Sequence, residues 1–174
     1  MYSAPILIAA LATALAGAQA AVPDHRADIK HAVFDLCPKV FTGEISLTDP
    51  TQVAAIGYKA TPPRETPGGK IPRAETGEGA TKIVIAGQAG ADPSCSIWFG
   101  GPDNKAQLGY VLTEASATGY QVGSPASLGD GTMLLQITRR KAVPAPAHKT
   151  MVVIGADAGG EFGADPATTI ILMK

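Results

Sequence analysis

The two cysteines of the chain place the strongest constraint on its fold. Cys37 and Cys95 are the only cysteines in 174 residues, so a disulfide between them has one possible connectivity. Such a bond closes a long loop and, in the chain-entropy model, stabilises the folded state by about 4 kcal/mol. The alternative is a pair of free buried thiols. Because neither cysteine lies in a Cys-x-x-Cys motif, a redox centre is not indicated, and we predict a structural disulfide.

Residues 1–20 have the pattern of a secretory signal peptide. An apolar run over residues 6–17 precedes Ala18-Gln19-Ala20, the small-x-small pattern at which signal peptides are cleaved. The alternative is a membrane anchor, because the uncharged stretch approaches the roughly 20 residues that a spanning helix needs. The stretch is rich in Ala, however, and no basic cluster follows it. We expect cleavage before Ala21, a mature chain that is not membrane-embedded, and a periplasmic or secreted location, where disulfides persist.

The mature residues 21–174 have the length of one domain. The 14 Lys and Arg nearly balance the 15 Asp and Glu, so no overall field attracts nucleic acid, and no nucleic-acid partner is expected. Gly69-Lys70 is followed by Ile71 instead of the Ser or Thr of a phosphate-binding loop. No dinucleotide fingerprint is present either, and no cofactor is expected.

Three helices are predicted in the chain. The apolar positions of residues 24–36 recur at helical spacing, and Pro38 is expected to end this helix because it lacks an N–H and its ring clashes with the preceding turn. Asp49 followed by Pro50 predicts the start of a second helix, and Asp103 can cap a third.

Strand-forming residues dominate much of the remainder. Six strands are predicted, at residues 81–87, 95–100, 120–122, 133–138, 151–155 and 168–173. By contrast, residues 61–80 contain one large apolar residue, Ile71, among prolines and glycines, which predicts a long mobile loop. Strands that follow one another without intervening helices pair antiparallel. We therefore predict an α+β fold: a single small domain with an antiparallel sheet of about five to six strands and two to three helices packed on one face.

One face of the first predicted helix carries acidic residues and a histidine. Asp28, His31 and Asp35 share this face at helical spacing, and both residue types are zinc ligands. The alternative is a solvated acidic face that complements the helix dipole. Because no further ligand from another element can be assigned, we assign no metal and keep these three residues as a weak candidate.

A basic stretch joins two of the predicted strands. Arg139, Arg140, Lys141 and His148 fall in or beside this connection and, together with the basic residues of the 61–80 segment, could form a positive rim. Such a rim could hold an anionic glycan or lipid head group by charge. The alternative is that Lys, Arg and Pro keep the edge soluble and prevent edge pairing.

The only tryptophan lies in the most distinctive local sequence, residues 92–102. Strand alternation places Ile97 and Phe99 on one face and Trp98 on the other. In a structural interpretation, Trp98 or Phe99 packs on the disulfide. In a functional interpretation, Trp98 lines a ligand cleft beside Gly100 and Gly101. Large aromatic residues mostly serve packing, which favours the first interpretation.

No catalytic residue can be assigned from motifs. Ser127 lacks the first glycine of a nucleophile elbow, and His25 and His31 belong to a helix face expected to be exposed, which leaves His148 as a possible base. We expect an exported envelope protein that binds a partner or ligand without catalysis. The partner would be another envelope protein or an anionic glycan or lipid. The alternative is a small periplasmic enzyme of hydrolase type whose acid and base groups, such as Asp103, cannot be assembled from sequence.

Overall fold

The computed structural model describes residues 24–101, 103–124, 126–127, 133–139, 150–156 and 167–173. The helical elements in these ranges are α1 (Arg26–His31), a π-helical turn (Ala32–Leu36), α2 (Cys37–Thr42), α3 (Pro50–Ala55), a 3-10 turn (Gly79–Thr81) and α4 (Asn104–Ala117). The strands are β1 (Lys59–Thr66), β2 (Gly69–Thr76), β3 (Ile83–Gln88), β4 (Ser94–Gly100), β5 (Tyr120–Val122), β6 (Ala126–Ser127), β7 (Met133–Arg139), β8 (Thr150–Ala156) and β9 (Ala167–Met173). No helix in these ranges combines the length and apolarity that crossing a membrane requires.

The strands form one antiparallel sheet. Its order is β1-β2-β3-β4-β9-β8-β7-β5, and β6 also pairs with β7. All pairs are antiparallel, so the predicted α+β fold with an antiparallel sheet is confirmed. The six predicted strands are present as β3, β4, β5, β7, β8 and β9. The sheet is larger than expected because β1, β2 and β6 extend it to nine strands.

A β-hairpin takes the place of most of the loop predicted at residues 61–80. Strands β1 and β2 cover residues 59–76, and the 3-10 turn follows. Pro62 and Pro63 lie in β1, the edge strand of the sheet. An edge strand has no neighbour on its open side, so an N–H is not needed there and proline is tolerated. The pairing register shifts between Thr61 and Arg64, which accommodates the two prolines. Prolines at a sheet edge therefore do not exclude a strand.

The first helix also continues past the proline that was expected to end it. Pro38 lies at the start of α2, directly after the π-helical turn. A proline inside an α-helix removes one hydrogen bond and clashes with the carbonyl four residues earlier, here that of Phe34. A π-helical turn changes the hydrogen-bonding pattern at that point, so the chain accommodates Pro38 without leaving the helix.

The helices cover one face of the sheet and bury the disulfide there. Cys37 of α2 is bonded to Cys95 of β4, both are fully buried, and their Cα atoms lie 5.6 Å apart. Gly87 of β3 pairs with Cys95, and a Cβ atom at Gly87 would lie 3.0 Å from a methyl carbon of Val40. The small residue at position 87 thus lets α2 approach the sheet closely enough to form the bond. The largest fully buried core side chains are Phe99, Ile29, Ile83, Ile85, Ile97, Ile170, Leu172, Val33 and Val40.

Candidate functional site

A cleft of about 290 Å³ lies where α1 meets the connection between α3 and β1 and the end of β2. Its lining residues are Asp28, His31, Ile56, Gly57, Tyr58, Thr76, Gly77, Thr81 and Ile83, and we call it the Tyr58 cleft. Two glycines shape its wall. Gly57 (φ +78°) follows α3, and Gly77 (φ +71°) follows β2, both in the left-handed region that glycine adopts without strain.

Tyr58 is the most buried polar residue among the described residues that line this cleft. Its side chain is 9% exposed, and its hydroxyl has no hydrogen-bond partner among the described residues. The backbone N–H of Tyr58 donates to the carbonyl of Val53, which holds the residue at the end of α3. Burial, and then the negative charge of Asp28, raises the pKa of the Tyr58 phenol well above its ordinary value. The phenol is therefore neutral at physiological pH and able both to donate and to accept a hydrogen bond.

The acidic side of the cleft comes from the predicted face of α1. Asp28 and His31 line the cleft, while Asp35 does not line it. Instead, Oδ2 of Asp35 lies 3.0 Å from Nδ1 of His31, on side chains that are 60% and 53% exposed. A carboxylate at Nδ1 leaves the other ring nitrogen of His31 for a second partner.

The acidic face of α1 is not joined by metal ligands from other described elements. Across the described ranges, no three His, Cys, Asp or Glu side chains are grouped in a way that could hold a metal ion. Asp28, His31 and Asp35 all come from one helix, and the structure pairs two of them with each other. The cleft is therefore better described by its hydrogen-bonding groups than as a metal centre.

Most of the remaining cleft wall is apolar or already bonded. Ile83 is buried and Ile56 half-buried, and they form apolar surface. The hydroxyl of Thr81 donates to the carbonyl of Glu78 at 2.9 Å and accepts from the Glu78 N–H at 3.3 Å. No Lys or Arg is among the described residues that line the cleft. The groups available to a ligand are thus the hydroxyls of Tyr58 and Thr76, the Asp28 carboxylate and one nitrogen of His31.

Two other clefts have weaker features. One, of about 350 Å³, lies beside residues 43–48 and has no ionisable lining residue. Another, of about 470 Å³, lies at the tip of the β1–β2 hairpin near Lys70 and Asp92, and none of its lining residues is buried. Neither presents a buried polar group to a ligand, which leaves the Tyr58 cleft as the best candidate.

Trp98 lies on the face of the sheet opposite the disulfide. Phe99 and Ile97 are fully buried on the helix-covered face with Cys95, whereas Trp98 is half-buried. The predicted alternation is therefore confirmed, and Phe99 is the aromatic residue that shares the disulfide's face. The guanidinium carbon of Arg64 lies 5.0 Å from the centre of the Trp98 ring, a cation–π contact. Trp98 does not line the Tyr58 cleft.

The predicted basic rim is only partly within the described residues. Arg139 is the last residue of β7 and pairs with Tyr120, whereas Arg140, Lys141 and His148 lie outside the described residues. Two basic residues of the predicted 61–80 loop lie in the hairpin instead, and each contacts another side chain. Lys70 forms an ion pair with Glu65 at 2.9 Å, and Arg64 stacks on Trp98. Anion binding at this rim stays a prediction.

A buried polar cluster between α1, α4 and β9 was missed by the sequence analysis. His25 is 5% exposed, which corrects the expectation that it is exposed, and its Nε2 lies 2.5 Å from the side-chain amide of Gln107. Nearby, the hydroxyl of fully buried Thr168 donates to Asn104 at 2.6 Å. His25 precedes Ile29 by four residues, so helical spacing already placed it on the buried stripe.

Comparisons with models of known protein families, with curated proteins and with solved structures give no match for this chain. The chemistry of the Tyr58 cleft is therefore the main guide to the function of this chain.

Proposed function

We propose that this chain is an exported, non-catalytic binding domain that holds a small ligand in the Tyr58 cleft. The observation that carries the proposal is Tyr58, a cleft-lining residue that is only 9% exposed and whose hydroxyl has no hydrogen-bond partner among the described residues. The hydroxyl of such a largely buried side chain takes its hydrogen bond from water or from a ligand. A cleft with a few convergent polar groups on an apolar wall is typical of ligand sites.

Export is supported by the disulfide and by the N-terminal sequence. A buried disulfide between Cys37 and Cys95 is typical of an oxidising compartment, here the periplasm or the exterior. The apolar residues 6–17 and the Ala18-Gln19-Ala20 pattern match the apolar and cleavage regions of a signal peptide, although no Lys or Arg precedes them.

The intact mass of the protein from an envelope fraction, recorded without reductant, tests export. We expect the mass of a chain that begins at Ala21, lower by two hydrogen atoms than the mass of the same chain with two free thiols. A full-length mass, or two free thiols, would contradict export.

A second candidate function is favoured by one specific contact. The bond between His31 and Asp35 orients the imidazole as in sites of general-base catalysis, which keeps open a small periplasmic hydrolase. Two features make this candidate weaker. Asp28 adds a negative charge to the cleft, which opposes the negative charge that develops in a hydrolytic transition state, and Asp35 is exposed to solvent.

A fragment screen followed by backbone amide NMR tests the binding proposal. From a library of neutral, cationic and anionic fragments, we expect some members to shift the amide resonances of Gly57 and Gly77 in a saturable way. The Tyr58→Phe variant should bind these fragments more weakly, whereas Tyr110→Phe, on α4 and outside the cleft, should bind them as the wild type does. Fragments that all map to another surface, or equal binding by Tyr58→Phe, would contradict the proposal.

The same variants separate binding from catalysis. If His31→Gln abolishes turnover of an ester or amide fragment without weakening its binding, the hydrolase is the correct function and the proposal of non-catalytic binding fails.

A further inference from the structure

We infer that the ligand of the Tyr58 cleft is a small organic cation, a primary ammonium group on a short carbon chain. This inference rests on the proposed function, because it names the ligand class for the same site.

The charge of the cleft favours a cation. Asp28 contributes a carboxylate, and no lining residue is Lys or Arg. The basic residues of the same helix are engaged elsewhere: Arg26 with Asp24 at 2.6 Å and Lys30 with Glu114 at 2.6 Å. Asp28 itself makes no ion pair within the described part of the chain. Its charge is thus available to a ligand.

The hydrogen-bonding groups suit an ammonium group. An ammonium group has three donors and no acceptor, so it requires oxygen acceptors around it. The Asp28 carboxylate and the unpartnered Tyr58 hydroxyl oxygen are acceptors that line the same cleft.

The apolar walls and the volume limit the rest of the ligand. Ile56 and Ile83 provide apolar surface for a short carbon chain. The cleft volume of about 290 Å³ corresponds to the space of roughly ten water molecules. An anion would be repelled by Asp28. A Ca²⁺ or Mg²⁺ ion would need more oxygen ligands than one carboxylate and two or three hydroxyls provide.

A matched series of probes tests the charge requirement. We would titrate the full exported protein with n-butylammonium, 1-butanol and butyrate, and follow the amides of Gly57 and Gly77. We expect saturable binding of n-butylammonium, binding of 1-butanol that is weaker by up to about five-fold, and no binding of butyrate, because a partly exposed ion pair is worth up to about that factor. Raising the salt from about 0.01 M to about 1 M should remove most of the difference.

Two variants locate the charge. Asp28→Asn should weaken n-butylammonium binding by about five-fold and leave 1-butanol binding unchanged. Asp24→Asn removes a carboxylate one helical turn away, outside the cleft, and should leave both unchanged.

The outcomes separate the two proposals. Equal or tighter binding of 1-butanol or butyrate at the cleft would overturn the cation inference while the cleft remained a ligand site. If no probe and no fragment shifts the cleft amides, both proposals fail together.

Discussion

Replacing Tyr58 by Phe should stabilise the free protein while weakening its binding. The substitution removes one oxygen atom and keeps the ring, so the packing of the side chain against the cleft wall is retained. In the wild type the residue is 9% exposed, its hydroxyl has no partner among the described residues, and the hydroxyl experiences the negative charge of Asp28. A residue kept for binding at a cost in stability is typical of functional sites.

The expected gain follows from the environment of the hydroxyl. A buried donor or acceptor without a partner costs about 1–3 kcal/mol. Because the cleft is open to solvent, we expect the lower end, about 1 kcal/mol, for Tyr58→Phe. For a domain of this length, that corresponds to a rise in melting temperature of about 2–4 °C. Urea denaturation of both proteins at neutral pH measures the difference.

High pH should enlarge the difference. The pKa of the Tyr58 phenol is raised above its ordinary value of 10.0 in the folded state, by burial and then by Asp28. Between the two values the unfolded chain loses a proton that the folded chain retains. The contribution of Tyr58 to stability is therefore complete below pH 10 and falls as the pH rises above it, by up to about 1.4 kcal/mol per pH unit. Tyr58→Phe lacks this loss.

Tyr110 provides the control for both measurements. It is half-buried on α4, outside the cleft, and we expect Tyr110→Phe to change the free energy of unfolding by less than about 0.5 kcal/mol. The reasoning is refuted if Tyr58→Phe is less stable than the wild type by about 1 kcal/mol or more, because the hydroxyl would then be making a structural hydrogen bond.

Three further substitutions test the fold around the cleft. Replacing both Cys37 and Cys95 by Ala should lower the free energy of unfolding by about 4 kcal/mol, since the bond spans 58 residues; a loss below about 1 kcal/mol in urea would contradict this. Gly77→Ala should cost about 1–3 kcal/mol and weaken fragment binding, because position 77 has φ +71° and a Cβ there would overlap the backbone of the 3-10 turn; wild-type thermal stability would count against it. Thr168→Val should cost about 1–3 kcal/mol by leaving the buried oxygen of Asn104 without its donor, and an unchanged melting temperature would show that the bond is replaced.

The strands that were predicted from the sequence are those whose residue types favour a strand by themselves. Strands β3 and β9 are rich in β-branched residues, β4 carries Ile97 with the aromatic Trp98 and Phe99, and all three lie inside the sheet, so local preference and tertiary environment agree. The hairpin of β1 and β2 has the opposite character. Pro62 and Pro63 indicate a loop locally, whereas the pairing of β1 with β2, and of β2 with β3, gives this segment a strand conformation. The segment lacks a periodic apolar pattern because Ile71 is its only large apolar residue.

The site was predicted in part. Helical spacing placed Asp28 and His31 on one exposed face, and both line the cleft. Tyr58 was not identified because its importance depends on burial by elements that are distant in sequence, namely α1 and the end of β2. The one local signal was the order of Gly57 and Tyr58 after a helix, since a left-handed glycine redirects the chain and fixes where the next side chain lies.

The role of the Tyr58 cleft is tested most directly by an experimental structure of the protein with its tightest-binding fragment. We expect a polar atom of the fragment within about 2.6–3.2 Å of the Tyr58 hydroxyl oxygen, with its cationic group toward Asp28. A fragment bound at another surface, or a Tyr58 hydroxyl already bonded to a protein group while the cleft stays empty, would contradict the proposed function.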